Sequence, residues 1–156
     1  ECFTHTEHRT QPGPGPEGEP PFALDKLTPF HYQGLRESIL AGKPHIDLGE
    51  EAVAYQAGAC ALTPGGGLYA ADTGAGVALL CAEGMEDGSL LAKEVLGEAE
   101  EVERLLAWLP RLLPAWSGIW RCPGDNLQFG MLKWLDPARA ERWDWERRAY
   151  LGLAFD

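Results

Sequence analysis

The apolar run at residues 77–82 is the feature that most constrains the fold. It reads Val-Ala-Leu-Leu-Cys-Ala and holds no polar residue. Alternate side chains of a strand point to opposite faces of a sheet. A strand that is apolar throughout therefore needs cover on both faces. Turn-forming sequences bound the run at residues 72–76 and 86–88, the second with an Asp-Gly pair that is typical of hairpins. The run predicts an interior strand of a sheet with helices on both sides.

Local signals place the other elements around this strand. Thr28 and Pro29 are suited to cap and open a helix, which Gly42 ends. A stripe of apolar residues four and three apart predicts a later helix that begins at Glu98 and ends or bends at Pro110. The remaining predicted elements are a helix at 50–60, strands at 67–71, 89–96, 116–122 and 149–155, a turn at 123–126, a short apolar segment at 129–135, and a helical or irregular stretch at 136–148.

This order predicts an α/β (α+β) fold, with a mixed, mostly antiparallel sheet flanked by helices.

A linker is predicted at residues 11–21. Residues 11–20 hold four Pro and three Gly, a composition that buries little and extends the chain. Residues 1–10 are interpreted as a strand-like tail or the end of a preceding domain, with His5 and His8 exposed. Residues 22–156 form the globular domain. The first residue is Glu1 rather than Met. Either Glu1 is the remnant of a tag, or it marks the point at which a longer protein is truncated, and we favour the second interpretation.

Charge and cysteine usage exclude several classes of partner. The chain has 24 acidic against 13 basic residues, a net charge of −11. Nucleic acids and anionic membrane surfaces need clustered Lys and Arg, so neither is expected to bind. The four cysteines are far apart and form no metal-binding spacing with histidine. We therefore expect a reduced, cytoplasmic protein without a metal.

Lys93 and Glu94 stand out as adjacent charges in an otherwise apolar strand. Neighbouring residues of a strand point to opposite faces, and a buried charge is costly unless it is paired. One interpretation puts the pair in an edge strand or at the end of a strand. The other makes it a pair of charges lining a cleft beside the helix start at Gly97.

Several strings, taken in order, resemble the GNAT-type N-acetyltransferase fold. They are Gly-Gly-Gly-Leu-Tyr at 65–69, Leu-Leu-Ala-Lys-Glu-Val-Leu at 90–96, Arg-Cys-Pro-Gly-Asp at 121–125, Phe-Gly-Met-Leu-Lys-Trp-Leu at 129–135 and the C-terminal 149–156. Residues 22–156 are most similar to the divergent second half of bacterial proteins with two tandem GNAT-like domains.

The resemblance implies a cofactor position. GNAT domains bind acetyl-CoA where the fourth strand meets the next helix, and backbone amides there hold the pyrophosphate. The matching residues are Val95, Leu96 and Gly97. The Arg/Gln and the later glycine of the family loop are missing, and Glu98, Glu100 and Glu101 stand there instead. These carboxylates disfavour acetyl-CoA, because like charges repel. The family's Tyr acid also has no counterpart at 126–135.

Three hypotheses follow from the resemblance. In the first, the chain is a non-catalytic half that shapes a substrate cleft beside an upstream GNAT-like catalytic domain or a homodimer partner. In the second, it is an active acetyl-CoA-dependent N-acyltransferase acting on a small amine, with Glu94 as the base. In the third, it binds a small ligand or a partner and has kept only the fold. The residues expected to line the cleft are Lys93, Asn126, Phe129, Met131 and Trp134.

Overall fold

The computed structural model describes residues 2–11, 13–113, 115–131, 135–144 and 149–153, and for residues 2, 3 and 129–131 it describes the backbone only. The strands in this part of the chain are β1 (Cys2–Arg9), β2 (Asp25–Lys26), β3 (Gly67–Asp72), β4 (Val77–Gly84), β5 (Leu90–Leu96), β6 (Trp116–Met131) and β7 (Ala149–Tyr150). The helices are α1 (Pro29–Leu40), α2 (Gly49–Ala61), α3 (Ala99–Leu112) and α4 (Pro137–Ala140).

The strands form one mixed sheet in the order β2-β3-β4-β5-β6-β1-β7. Neighbours are antiparallel except β5 with β6 and β1 with β7. β5 pairs with β6 at two positions, Leu90 with Trp116 and Ala92 with Trp120. Both strands continue beyond these pairs, β5 to Leu96 and β6 to Met131. The two parallel strands therefore separate toward the start of α3.

Both faces of β4 are covered, as its apolar sequence predicts. Leu80 and Ala82 belong to a cluster with Leu105 and Leu109 of α3. Leu79 and Cys81 belong to a second cluster that contains residues of α1 and α2. Alternation along the strand thus divides the core between the two helical layers. The prediction of a mixed sheet flanked by helices is confirmed.

Helix ends follow the local signals with one exception. The Thr28 hydroxyl accepts a hydrogen bond from the His31 amide and caps α1. Pro110 does not end α3, which continues to Leu112. A proline removes one backbone donor, but the Leu113 amide still reaches the Leu109 carbonyl at 2.7 Å.

The predicted turn at residues 123–126 is wrong, because β6 runs through it. Its pairing with β1 shifts register twice, between Phe3 and Thr4 and between His5 and Thr6. Side chains complete the ladder at these bulges. Thr4 Oγ1 donates to the Gly124 carbonyl at 2.8 Å, and the Asp125 amide donates to Thr6 Oγ1 at 3.1 Å. Cys122 pairs with Thr6 and Leu127 with His5, so residues 123–126 form a four-residue bulge opposite β1, and β6 continues beyond it without reversing.

The interpretation of His5 and His8 as exposed is also wrong. His5 is 3% exposed, and the His8 ring stacks on Trp120 with centroids 4.0 Å apart. Both lie on β1, which is hydrogen-bonded to β6 on one side and β7 on the other. Residues 1–10 therefore supply a strand to the same sheet as the rest of the chain.

At the C-terminal end, β7 covers only the first two residues of the predicted strand at 149–155, and residues 154–156 lie outside the described part. Among the described residues, no helix has both the length and the apolar character needed to cross a bilayer.

Candidate functional site

Lys93 and Glu94 lie in the interior of the sheet, so the edge-strand interpretation is wrong. They belong to β5, which has β4 on one side and β6 on the other. Lys93 is 4% exposed and Glu94 is fully buried. Lys93 Nζ donates to Glu83 Oε2 at 2.8 Å. Lys93 is thus paired with a carboxylate of β4, as burial of a charge requires.

Glu94 forms a buried ion pair with Arg36 of α1. Arg36 Nε lies 3.2 Å from Oε1 and 3.3 Å from Oε2, and the Tyr32 hydroxyl donates to Oε2 at 2.8 Å. Burial disfavours the charged form of Arg36, but the Glu94 carboxylate outweighs this effect and raises its pKa. Burial, reinforced by Glu94, raises the pKa of Tyr32. Both carboxylate oxygens of Glu94 thus already accept from the protein.

The other side of this ion pair is closed by the segment after β7. Arg36 lies over the Tyr150 ring, 5.9 Å from its centroid. Gly152 has φ +61°, and a Cβ there would lie 2.6 Å from Arg36 Nη2 and against the Glu94 carboxylate. Glycine is therefore needed at this position both for its backbone conformation and for space.

A cleft opens where β5 and β6 separate. Its volume is about 460 Å³, and its walls come from the end of β5, the first turns of α3 and the middle of β6. Most of its lining is apolar, and it comprises Lys43, Val95, Gly97, Ala99, Val102, Glu103, Leu106, Trp120, Cys122 and Pro123. Of the three predicted cofactor residues, Val95 and Gly97 line this cleft, whereas Leu96 packs in the cluster of α1 and α2.

Backbone amides at the start of α3 donate to carboxylates of the same helix start. Glu98 and Glu101 form a capping box, in which Glu101 Oε2 accepts from the Glu98 amide at 2.8 Å and the Glu98 side chain accepts from the Glu101 amide. Lys43 Nζ lies 3.5 Å from Glu98 Oε1. Amides at a helix start commonly bind anions, but two of these are occupied by acidic side chains.

Of the other predicted cleft residues, Lys93 and Asn126 do not line this cleft. The Asn126 side chain bonds the backbone of Glu7 in β1, accepting from its amide at 3.0 Å and donating to its carbonyl at 3.2 Å. Phe129 and Met131 lie in β6, but their side chains are outside the described part. Trp134 lies outside the described residues altogether.

Sequence reasoning missed Arg36 and Tyr32, although a signal was present. Tyr32, Arg36 and Leu40 are four residues apart on α1 and all are buried. Residues at this spacing share one helix face. A charged residue in register with two large apolar ones therefore indicates a buried charge in need of a partner.

No group of three potential His, Cys, Asp or Glu metal ligands occurs within the part of the chain that the structure describes. Comparison with family models, with curated proteins and with solved structures found no match.

Proposed function

We propose that this chain is a GNAT-like domain that lacks acetyl-transfer activity of its own and shapes the substrate cleft of a partner domain. Counting from β2, β5 is the fourth strand of the domain, and it leads into α3 beside a cleft between two separating parallel strands. GNAT domains hold acetyl-CoA at the corresponding place. The strand order and this cleft support the family assignment.

The observation that carries the lack of activity is the capping box at the start of α3. Glu98 and Glu101 occupy amides that would otherwise face a pyrophosphate. A phosphate approaching them would meet like charge as well as occupied donors. An active enzyme with Glu94 as base is less well supported, because Glu94 is fully buried and both of its oxygens accept from Tyr32 or Arg36.

The natural partner in this proposal is an upstream GNAT-like catalytic domain or a second copy of the chain, in the cytoplasm. Nucleic acid and membrane surfaces are not proposed as partners, because the net charge is −11.

Isothermal titration with acetyl-CoA tests the proposal. We expect no heat of binding for the wild-type chain at millimolar ligand. Glu98→Ala/Glu101→Ala frees the helix amides and removes two negative charges, so it should bind measurably. A matched control is Glu50→Ala/Glu51→Ala, which removes two acids from the first turn of α2 and should change nothing. Micromolar binding by the wild-type chain, or acetyl transfer to an amine, would contradict the proposal.

A second candidate function is binding of an uncharged small ligand in the same cleft. Its volume of about 460 Å³ falls within the range of ligand pockets, roughly 300–1,000 Å³. Trp120 lines it, and the indole nitrogen has no hydrogen-bond partner among the described residues.

Fluorescence of the neutral naphthyl ketone dye PRODAN tests this candidate. Ala99→Trp places a large side chain at the mouth of the cleft and should abolish dye binding. Ala107→Trp is the matched control, because Ala107 is an exposed residue of α3 that does not line the cleft. Equal dye affinity of the two variants would place the dye elsewhere and remove this candidate.

A further inference from the structure

His45 lies between two groups that can only accept hydrogen bonds. Its Nδ1 is 2.7 Å from the Lys43 carbonyl oxygen, and its Nε2 is 2.8 Å from Glu37 Oε2. A neutral imidazole has one N–H donor and one acceptor nitrogen, whereas the imidazolium has two donors. Opposite an ionised Glu37, both contacts are hydrogen bonds when both ring nitrogens carry a proton, whereas a neutral ring keeps only one of them. The geometry therefore favours a cationic His45.

The charged groups around His45 favour this state on balance. Partial burial opposes the charge, but Glu37 and the Lys43 carbonyl outweigh it and raise the pKa of His45, while Arg36 acts against them. Arg36 is itself bonded to Glu37, with Nη1 3.2 Å from Oε1. Among the residues that the structure describes, the charged side chains that line the same cavity of about 530 Å³ as His45 are Lys43, Arg142 and Asp144.

The loop that carries His45 is fixed to the sheet by backbone bonds. The Tyr150 amide donates to the Pro44 carbonyl at 2.9 Å, and the Ile46 amide donates to the Tyr150 carbonyl at 2.9 Å. Arg36 Nη1 also donates to the Ile46 carbonyl at 3.0 Å. The loop at residues 41–48 is thus held by α1 on one side and by β7 on the other.

The same loop forms a wall shared by three cavities. Lys43 lines the cleft beside α3, the cavity that contains His45 and a third cavity of about 300 Å³ between α1 and β6. Any movement of this loop changes the shape of all three. The attachment of loop 41–48 therefore determines the shape of the three cavities that meet at Lys43.

We propose that protonated His45 is a pH-sensitive latch, which ties loop 41–48 to Glu37 of α1 and loosens this attachment when the imidazolium loses a proton, while the backbone bonds to β7 remain. Because the folded-state pKa is raised, the latch is fully closed below the unfolded value of about 6.5 and opens as the pH rises through the folded value. The proposal concerns the loop alone and holds whether or not the domain binds acetyl-CoA.

NMR of the histidine ring nitrogens provides the direct test. At about pH 5.5, well below the ordinary histidine pKa, we expect both His45 nitrogens to be protonated, with a titration midpoint above the ordinary histidine value of about 6.5. Glu37→Gln removes the carboxylate and should lower the midpoint. The matched control Glu50→Gln, at an exposed acid of α2, should leave it unchanged. A neutral His45 ring with a single N–H at this pH would overturn the proposal.

Amide hydrogen exchange measures the latch itself. Between about pH 5.5 and about pH 9, the protection factors of Ile46 and Tyr150, corrected for intrinsic rates, should fall about threefold to tenfold as one hydrogen bond of the loop is lost. Leu27, whose amide bonds the Leu68 carbonyl at the other edge of the sheet, is the internal control. His45→Gln, which cannot titrate in this range, should remove the difference. Unchanged protection in wild type, or the same pH dependence in His45→Gln, would overturn the latch.

Discussion

At the scale of single residues, the ion pair of Glu94 and Arg36 explains why a carboxylate lies in the fully buried strand β5. Both side chains are fully buried, and taking two charges out of water costs several kcal/mol per ion before they attract each other. The pair is tolerable because Tyr32 and the Ile46 carbonyl satisfy further atoms. Its structural effect is to bind α1, β5 and the loop after α1 together.

Glu94→Gln is expected to destabilise the fold strongly. The amide keeps the shape of the side chain but leaves the Arg36 cation buried without its main partner, a loss of about 3–5 kcal/mol in the free energy of unfolding. Urea denaturation measures it. Glu86→Gln, in an exposed turn, is the control and should stay within about 0.5 kcal/mol of wild type. An unfolding free energy for Glu94→Gln equal to that of wild type would show that the pair contributes no net stability.

At the scale of elements, β1 and β6 are joined by charged side chains as well as by their backbones. Arg121 Nε lies 3.1 Å from Glu7 Oε2, and Arg9 Nη2 lies 3.2 Å from Glu7 Oε1. Partial burial would raise the pKa of Glu7, but the hydrogen bonds and charges of Arg121 and Arg9 outweigh it and lower that pKa. The ionised carboxylate is therefore the form that stabilises the folded state.

The contribution of Glu7 should disappear in acid. Because the folded pKa is below the unfolded one, the stabilisation is present above the unfolded value and is lost as the pH falls through the folded value. The free energy of unfolding of the wild-type chain should exceed that of Glu7→Gln by about 1 kcal/mol near neutral pH. This difference should shrink to zero at low pH. Urea titrations at a series of pH values check it. Glu17→Gln, at an exposed acid between β1 and β2, is the control for removal of a surface carboxylate, and a pH-independent difference for Glu7→Gln would contradict the assignment.

Elements with local signals were predictable, and elements with distant partners were not. The Thr28 cap and the Leu105 and Leu109 stripe identify α1 and α3, because caps and helix faces depend on residues a few positions apart. The turn predicted at 123–126 failed because Thr4 and Thr6 satisfy its backbone groups from about 120 residues away.

The residues of the candidate site likewise divide into those that the sequence indicates and those that it does not. The resemblance led to Val95 and Gly97, which line the cleft. The spacing of Tyr32, Arg36 and Leu40 indicates a buried charge on α1, but its partner Glu94 is 58 residues away in sequence, and no local pattern identifies that partner. His45 was passed over because its acidic partner Glu37 lies on α1 while His45 itself lies in a loop.

At the scale of the whole molecule, the sheet depends on its first segment. β1 pairs with β6 over most of its length and with β7 at Phe3 and Thr4. Without β1, these two neighbours would have no contact through the sheet, and each would present unpaired backbone groups to solvent.

Removal of residues 1–10 should therefore destabilise the sheet as a whole. We expect the melting temperature to fall by more than about 10 °C, since roughly 2–4 °C are lost per kcal/mol in a domain of this size. A synthetic peptide of residues 1–10, added in excess, should restore part of the loss by strand addition. Differential scanning calorimetry measures both effects. A peptide with Thr6→Pro is the control, because proline cannot donate to the ladder. An unchanged melting temperature in the shortened chain would contradict the dependence.

The place of β1 in the sheet also sets an order of events during protein synthesis. Glu7 and its partner Arg121 are 114 residues apart, so the ribosome makes β1 long before it makes the strand that β1 pairs with. Contacts of such separation form slowly, because a long loop must close first. In the nascent chain, β1 therefore lacks its partners in this sheet while β3, β4 and β5 assemble, and that end of the sheet closes only after β6 and β7 have emerged.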